Sequence, residues 1–167
     1  MTRKASFPPV AGPGTRLLLL GSLPGEASLR AVRYYAHPQN QFWKLIGTVI
    51  GCPTLDDLPY DDRLERLAST GIGLWDVVAD AVRPGSLDSA IRDHRPNDLL
   101  QLIRELPKLR AIGFNGGTAA RIGRKLIGDP RGIALLDLPS SSPAYTISYA
   151  EKRRRWAELQ LFLDIGR

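Results

Sequence analysis

Short runs of apolar residues that end in glycine or a polar residue recur along the chain and predict buried strands. The first run, Arg16–Gly21, contains four consecutive leucines followed by glycine. A continuous apolar run of this length is typical of a strand that is buried on both faces, as in a parallel sheet. Three further runs have the same character: Gly73–Val78, Leu109–Asn115 and Gly132–Leu138.

The segments between these runs carry apolar residues at helical spacing. In the helix predicted over 42–50, the side chains of Phe42, Ile46 and Val49 fall on one face. Asn97 is expected to cap the third predicted helix. The predicted helices are Phe42–Ile50, Pro59–Ser69, Asp98–Leu106, Thr118–Ile127 and Tyr149–Ile165.

Strands that alternate with helices in this order predict a three-layer α/β/α sandwich with a central four-stranded parallel sheet. A chain of 167 residues is long enough for one domain of this kind. We assign that domain to residues 16–167. Residues 1–15 contain prolines and glycines without periodicity, so we interpret them as a loose N-terminal lead-in. Ligands of such sheets bind beyond the carboxyl ends of the strands, which makes the loops there the candidate site.

Composition and charge restrict the chemistry that these loops can perform. The single Cys52 excludes an internal disulfide and a four-thiolate cluster, and two histidines cannot form a three-histidine metal site. We therefore expect neither a metal nor an organic cofactor. No apolar run is long enough to cross a bilayer, and no signal peptide is visible, so a cytoplasmic protein without membrane contact is expected. A net charge of +6 favours an anionic partner such as nucleic acid.

Glycine, proline and hydroxyl side chains dominate the loops after the first and last strands. Gly21–Gly25 reads Gly-Ser-Leu-Pro-Gly, either a turn whose backbone N–H groups approach a phosphate or base, or a plain strand-to-helix turn. Leu138–Ala144 contains three serines that suit phosphate contacts or simply form a surface loop. The basic run Lys152–Arg155 either contacts the phosphates of a DNA backbone or lies on a solvated helix face. Asn115 offers an amide at the site or caps a helix. Asp76 is either a catalytic carboxylate or a strand-end hydrogen-bonding group, and the sequence favours the second.

The segment Arg33–Trp43 is the most informative part of the sequence. It places two tyrosines, a His-Pro pair, an asparagine and a Phe-Trp pair within eleven positions. Aromatic side chains stack on bases, and an asparagine amide both donates and accepts hydrogen bonds. Helical spacing favours a core position for Phe42 and Trp43, and Asn40 also suits a helix cap. His37 has no second metal ligand nearby. We therefore favour a structural hydrogen-bonding role for His37 over a catalytic role.

Taken together and in order, these motifs resemble the uracil-DNA glycosylase superfamily. Gly21–Gly25 is similar to its first motif, and Leu138–Ala144 is similar to its last motif, the loop that enters the DNA minor groove. Ala36–Trp43 is similar to a segment shared with the mismatch-specific uracil/thymine glycosylases. With Gly85–Ile91 and the Phe-Asn-Gly of 114–116, the set most closely resembles the hypoxanthine (deoxyinosine) DNA glycosylase branch.

The resemblance implies a monofunctional DNA glycosylase that flips a deaminated base out of the helix and hydrolyses its N-glycosidic bond. Leu23 stands where uracil-specific branches carry the Asp or Asn that positions water, and the resemblance implies that Asn40 takes over this role, assisted by His37. It also implies that Tyr35 stacks on the base and that Asn115 reads its edge. The base-binding set is expected to be Tyr35, Asn115, Ser22, Leu23 and Gly25.

The same resemblance places the DNA-binding residues in the last loop and the last helix. Mismatch glycosylases carry a leucine wedge where this chain has Ser142. The gap that the extruded nucleotide leaves in the base stack is therefore expected to be filled by Pro143 or Tyr145, or to be filled only weakly. The expected DNA-binding residues are Ser140, Ser141, Ser142, Pro143, Tyr145, Arg153, Arg154 and Arg155. The expected partner is DNA containing a damaged or mismatched base, bound by a monomer. A mismatch-specific uracil/thymine glycosylase and a non-catalytic damaged-DNA-binding protein are the alternatives.

Overall fold

The computed structural model describes residues 2–163. Its strands are β1 (Arg3–Ala5), β2 (Leu17–Gly21), β3 (Ile72–Asp76), β4 (Val78–Val82), β5 (Arg92–Pro96), β6 (Ala111–Asn115) and β7 (Ala134–Leu138). Its α-helices are α1 (Glu26–Ala31), α2 (Phe42–Val49), α3 (Tyr60–Ser69), α4 (Leu99–Arg104), α5 (Gly117–Ile127) and α6 (Tyr149–Trp156). Three short 3-10 helices cover Leu55–Asp57, Asp88–Ala90 and Ala157–Phe162.

A four-stranded parallel sheet in the order β3-β2-β6-β7 forms the centre of the molecule. The leucines of β2 alternate between its two faces because successive side chains of a strand point in opposite directions. Leu17 and Leu19 pack against α2, α3 and the C-terminal helical segment, whereas Leu18 and Leu20 pack against α4 and α5. The predicted α/β/α sandwich around a four-stranded parallel sheet is thereby confirmed.

A second sheet, which the apolar pattern did not predict, lies beside the first. It is antiparallel, in the order β1-β4-β5. Residues 3–5 pair with β4, so this part of the expected loose lead-in is built into the fold. Every residue of β5 is exposed, and Arg3 forms ion pairs with Asp80 and Asp93. β1 and β5 carry no apolar run, which is why the sequence pattern missed them, and the predicted run Gly73–Val78 in fact covers the end of β3 and the start of β4.

The helix boundaries differ from the prediction by one or two residues at several ends, α1 was not predicted, and the structure explains two of the differences. Asp98, not Asn97, caps α4, because its side chain accepts a hydrogen bond from the Gln101 N–H. The Asn97 side-chain amide instead donates to the backbone carbonyl of Asp76, and this hydrogen bond connects the segment before α4 to the end of β3. The last helix changes to 3-10 geometry at Ala157, and the predicted end at Ile165 lies outside the described residues. Within residues 2–163, no helix has the length and apolar character needed to span a membrane.

Candidate active site

The loops beyond the carboxyl ends of the parallel strands enclose a cavity of about 570 Å³. This volume falls in the range of small-molecule pockets and is ample for a single nucleobase. The cavity lies at the edge of the sheet where such folds bind ligands. Its walls come from four parts of the chain: residues 21–28, residues 34–40, residues 86–89 and residues 140–145, with Asp76 and Asn115 between them.

A chain of hydrogen bonds joins the two candidate asparagines through Ser141. The Ser141 hydroxyl donates to Asn40 Oδ1 at 2.8 Å and accepts from Asn115 Nδ2 at 2.9 Å. The Ser141 backbone N–H donates to Asn115 Oδ1 at 2.9 Å. Ser141 is buried, with 1% of its surface exposed. Residues that lie 75 positions apart in the sequence, Asn40 and Asn115, are therefore held in a fixed relation at the cavity wall.

The orientation of the Asn40 amide follows from its partners. The Phe42 backbone N–H donates to Asn40 Oδ1 at 2.9 Å, and the Ser141 hydroxyl donates to the same atom. A backbone N–H requires an acceptor, so the oxygen of the amide is the atom that faces α2. The NH2 group of Asn40 is thus the part of the amide left for a ligand. The N-cap residue of α2 is Gln41 and not Asn40, so Asn40 contacts the first helical N–H from the position before the cap.

Tyr35 lines the cavity and is braced from behind. Its ring stacks on Phe42 with 3.9 Å between centroids and an interplanar angle of 17°, and Trp43 Nε1 donates to its carbonyl at 3.2 Å. The backbone of Tyr35 is left-handed, with φ of 54°. Non-glycine residues adopt this conformation at a cost, and such strain clusters at binding sites. Burial, followed by the charge of Asp76, raises the pKa of the Tyr35 hydroxyl, which keeps it neutral.

Asp76 is a site residue that the sequence analysis treated as structural. It ends β3 with only 4% of its surface exposed, and its Oδ2 atom has no hydrogen-bond partner among the described residues. Burial first, and then the charge of Asp88, raises the pKa of Asp76 to about 7. A Cβ on Gly21 would lie 2.7 Å from Asp76 Oδ1 and 3.0 Å from the Tyr35 hydroxyl. Glycine at 21 therefore permits the three groups to meet.

The first loop is held in place by two residues that sequence reasoning did not identify as functional. Arg83 is almost completely buried, and its guanidinium donates to the carbonyls of Leu23 at 3.2 Å and Pro24 at 2.6 Å. Asp88 accepts a hydrogen bond of 2.6 Å from the Ser22 hydroxyl. Arg83 lies in none of the motifs found in the sequence, and Asp88 lies within the Gly85–Ile91 motif, but only the tertiary structure reveals that both hold the first loop. The predicted base-binding residues Ser22, Leu23 and Gly25 all line the cavity.

The last loop is arranged differently from the expected row of phosphate-binding hydroxyls. Ser140 and Ser142 accept hydrogen bonds from backbone N–H groups two residues ahead, as in ordinary serine turns. Ser141 is buried and is engaged by the two asparagines, so it is not available to a phosphate. Pro143 and Tyr145 are exposed at the cavity rim.

The basic run at the start of α6 divides into one internal and three external residues. Lys152 is 1% exposed and donates to Gln41 Oε1 at 2.9 Å and to the Ser142 carbonyl at 3.1 Å. Arg153 and Arg154 are exposed, and Arg155 is partly exposed. Arg154 pairs with Glu151 on the same helix. These arginines do not line the cavity.

His37 is exposed at the cavity, and its Nδ1 atom accepts a hydrogen bond from the Gln39 N–H at 3.1 Å. This hydrogen bond is of the kind that the structural interpretation of His37 predicts. Across residues 2–163, no group of three or more histidine, cysteine, aspartate or glutamate residues is placed to hold a metal ion.

Comparison with known proteins identifies the family. Residues 8–165 match the model of the uracil DNA glycosylase superfamily. Two proteins named hypoxanthine DNA glycosylase are similar over almost their whole length. The one from Methanosarcina barkeri is 39% identical over 156 residues, covering 93% of this chain and 97% of the relative. The one from Methanosarcina acetivorans is 41% identical over 153 residues, covering 92% and 95%.

A solved structure agrees with these matches. A Methanosarcina acetivorans protein, solved by NMR in solution and provisionally described as a uracil DNA glycosylase, superposes with a TM-score of 0.84 at 40% identity. The match covers 95% of this chain and 97% of the other. The resemblance drawn from the motifs is confirmed: the chain belongs to the uracil DNA glycosylase superfamily and is a DNA glycosylase.

Proposed function

We propose that this glycosylase removes hypoxanthine from DNA that contains deoxyinosine and leaves an abasic site. The observation that carries the proposal is the Asn40 amide, held by Phe42 and Ser141 at the wall of a cavity large enough for a base. The two relatives named hypoxanthine DNA glycosylase support the choice of base. Deamination of adenine weakens pairing, which lowers the energy needed to extrude the nucleotide.

Asn40 positions the attacking water in this proposal. Its NH2 group donates to one lone pair of the water and leaves the other directed at the sugar C1′. An amide is too weak a base to remove a proton, so the reaction depends on a loose transition state with positive charge on the sugar. The base leaves as an anion with the electrons of the glycosidic bond, the water oxygen forms the new C–O bond, and the proton that the water releases neutralises the base by way of solvent. His37 assists by hydrogen bonding at the same wall.

The extruded base is held by stacking and by polar groups at the floor of the cavity. Tyr35 stacks on it, an interaction worth about 1–3 kcal/mol per base. The amide of Asn115 and the backbone N–H groups between Ser22 and Gly25, including that of Leu23, stabilise the negative charge of the leaving base. No lysine is among the described residues that line the cavity, which favours direct hydrolysis over a Schiff-base lyase step.

DNA is bound by the face on which the cavity opens. Ser140, Ser142, Pro143 and Tyr145 contact the strand at the rim, and the arginines of α6 (Arg153, Arg154 and Arg155) neutralise phosphates. Ser141 acts as a positioning residue and does not contact DNA. We further propose that the protein works as a monomer in the cytoplasm, without a membrane partner, and that it requires no cofactor.

Uracil is the second candidate base. The superfamily description and the solved relative both refer to uracil DNA glycosylase. Leu23 opposes it, because a leucine cannot hold the water that the uracil-specific branches hold at this position. A mismatch-specific enzyme that acts on uracil or thymine opposite guanine would use the same scaffold.

The decisive experiment is single-turnover cleavage of duplexes that carry one deoxyinosine, deoxyuridine or deoxyxanthosine, or thymine opposite guanine. EDTA is present, and alkali reveals abasic sites. We expect the fastest cleavage at deoxyinosine. Cleavage at uracil alone would reject hypoxanthine as the substrate. Tight binding to deoxyinosine DNA without release of any base would instead identify a protein that reads damage without repairing it.

A further inference from the structure

An exposed leucine stands at the mouth of the cavity, on the loop between β4 and β5. Leu87 exposes 57% of its surface, and its loop lines the cavity through residues 86–89. Single exposed leucines are common on proteins, so exposure alone says little. What distinguishes Leu87 is the way in which the residues around it are fixed.

A buried guanidinium lies beneath the loop. Arg83 donates to the Gly85 carbonyl at 2.8 Å and, through its other nitrogens, to the carbonyls of Leu23 and Pro24. Lys4 donates to the same Gly85 carbonyl at 2.8 Å. Charged hydrogen bonds of this kind are stronger than neutral ones, and they join the base of the loop to the first motif.

The two neighbours of Leu87 are also tied to the first motif. The Ser86 hydroxyl accepts a hydrogen bond of 2.9 Å from the Glu26 N–H. Asp88 accepts one of 2.6 Å from the Ser22 hydroxyl. The residues before and after Leu87 therefore have partners inside the protein, while the leucine side chain projects into solvent. The residues on either side of Leu87 are thus fixed by hydrogen bonds. This reduces the conformational entropy that is lost when the Leu87 side chain binds a partner.

The surroundings of the loop suit a nucleic acid backbone. Arg92 is exposed and lies against the loop, where its Nη1 atom donates to the carbonyls of Ser89 and Ile91. Its guanidinium provides positive charge at the end of the loop that carries Leu87, and phosphates are drawn to such charge. Tyr145, another large hydrophobic side chain that lines the cavity, is 44% exposed and so less exposed than Leu87. The Lys152 ammonium group lies 5.7 Å from the centroid of its ring.

We propose that Leu87 is the wedge that enters the base stack and fills the space left by the extruded nucleotide. Proteins that open DNA insert apolar side chains, leucine among them, between base steps. Tyr145 and Pro143 then contact the strand without plugging it. The proposal rests on base extrusion by this enzyme but not on which base is removed. Leu87 is a positioning residue and takes no part in breaking the bond.

The test uses a duplex that contains a tetrahydrofuran abasic analogue, with 2-aminopurine in the complementary strand next to the opposing base. 2-Aminopurine brightens when it is unstacked. We expect wild-type protein to raise its fluorescence on binding and Leu87→Ala to lose at least about half of that rise at saturating protein. Single-turnover cleavage of the deoxyinosine duplex should fall by about tenfold or more, because the extruded state is no longer held open.

Leu161→Ala is the matched control, since Leu161 is 74% exposed but does not line the cavity. It should leave both readouts within about twofold of wild type. Leu87→Met, which keeps a long apolar side chain, should restore most of the fluorescence rise. An unchanged fluorescence rise with Leu87→Ala, or the absence of any rise with wild-type protein, overturns the proposal. Leu87-dependent fluorescence without cleavage at deoxyinosine would reject the substrate and retain the wedge.

Discussion

At the scale of single residues, the cavity depends on side chains whose hydrogen bonds are already committed. Asn40 Oδ1 receives two donors, and Ser141 serves both asparagines. A residue held in this way loses little entropy when it meets the transition state, which is how a weak catalytic group becomes effective. Because the Phe42 N–H and the Ser141 hydroxyl bind the amide oxygen, the NH2 group is the part of Asn40 that can donate to a ligand, as our proposed mechanism requires.

Asn40→Ala should reduce single-turnover cleavage of the preferred substrate by more than about a hundredfold. DNA affinity should change little, because the asparagine contacts the water and not the backbone. Quench-flow kinetics and fluorescence anisotropy measure the two quantities on the same oligonucleotide. Ser141→Ala, which removes one of the two donors to Oδ1, should lose less. A rate for Asn40→Ala within a few-fold of wild type would remove the residue from the mechanism.

Asp76 predicts a pH dependence of stability. Its pKa is about 7 in the folded protein and about 4 in an unfolded chain. Between these values the folded state retains a proton that the unfolded state has released, so rising pH lowers the free energy of unfolding over this window. Asp76→Asn should remove this dependence.

Relative to wild type, the free energy of unfolding of Asp76→Asn should rise by about 3 kcal/mol between pH 5 and pH 8. Urea denaturation of both proteins at each pH gives the difference directly, and contributions of groups common to both proteins largely cancel. A difference in unfolding free energy that stays constant between the two pH values would show that Asp76 is ionised throughout.

At the scale of elements, helical geometry separates residues that are consecutive in the sequence. The four basic residues at 152–155 form one run in the chain, yet the turn of α6 directs Lys152 inward against Gln41 and Ser142 while Arg153 and Arg154 face solvent. Burial lowers the pKa of Lys152. Its role is to brace the last loop against α2, so only the arginines are candidates for phosphate contacts.

Replacing Arg153, Arg154 and Arg155 together with alanine should reduce the slope of log affinity against log salt concentration. Each lost phosphate contact lowers that slope by nearly one unit on duplex DNA. Binding titrations at several salt concentrations measure it. Arg104→Ala, on the exposed side of α4, serves as the control. An unchanged slope for the triple variant would place these arginines outside the DNA interface.

The elements themselves were predictable to the extent that they bury apolar side chains. The four strands of the parallel sheet follow the continuous apolar runs, since both faces of that sheet are covered. β5 reads Arg-Asp-His-Arg-Pro and is exposed throughout, so no hydrophobic period could indicate it. The candidate residues of the site were found where their motifs are local, as with Asn40 and Tyr35. The sequence did not single out Asp76 and Arg83 as site residues, because what distinguishes them is their burial. That burial arises only from tertiary packing.

At the scale of the whole molecule, the two sheets are joined at the site. β3 belongs to the parallel sheet and β4 to the antiparallel one, with only Val77 between them. β1 closes the antiparallel sheet from the N-terminus, where Arg3 pairs with Asp80. The N-terminal segment thus reaches the loop that carries Leu87, because Lys4 hydrogen-bonds to Gly85 and pairs with Glu26.

Deleting residues 1–6 should lower the melting temperature by about 5 °C, since strand pairing and ion pairs are lost while the central core remains. It should also slow cleavage, because the loop over 84–89 loses one of its anchors. Differential scanning calorimetry and single-turnover kinetics measure these effects. Arg3→Ala alone should produce a smaller change in both. A truncated protein with the melting temperature of the full chain would show that β1 contributes nothing to stability.

The β4–β5 hairpin lies outside the parallel sheet, and this has a consequence for how such enzymes diversify. Val78 and Ala81 of β4 are buried in the core with Leu18 and Leu20, whereas β5 is exposed throughout and the loop before it reaches the cavity rim. Insertions and substitutions in this loop and in β5 can accumulate without disturbing that core. Evolution can therefore alter the loop that we propose opens the DNA separately from the asparagine that we propose positions the water, and an engineer can exchange this loop between relatives.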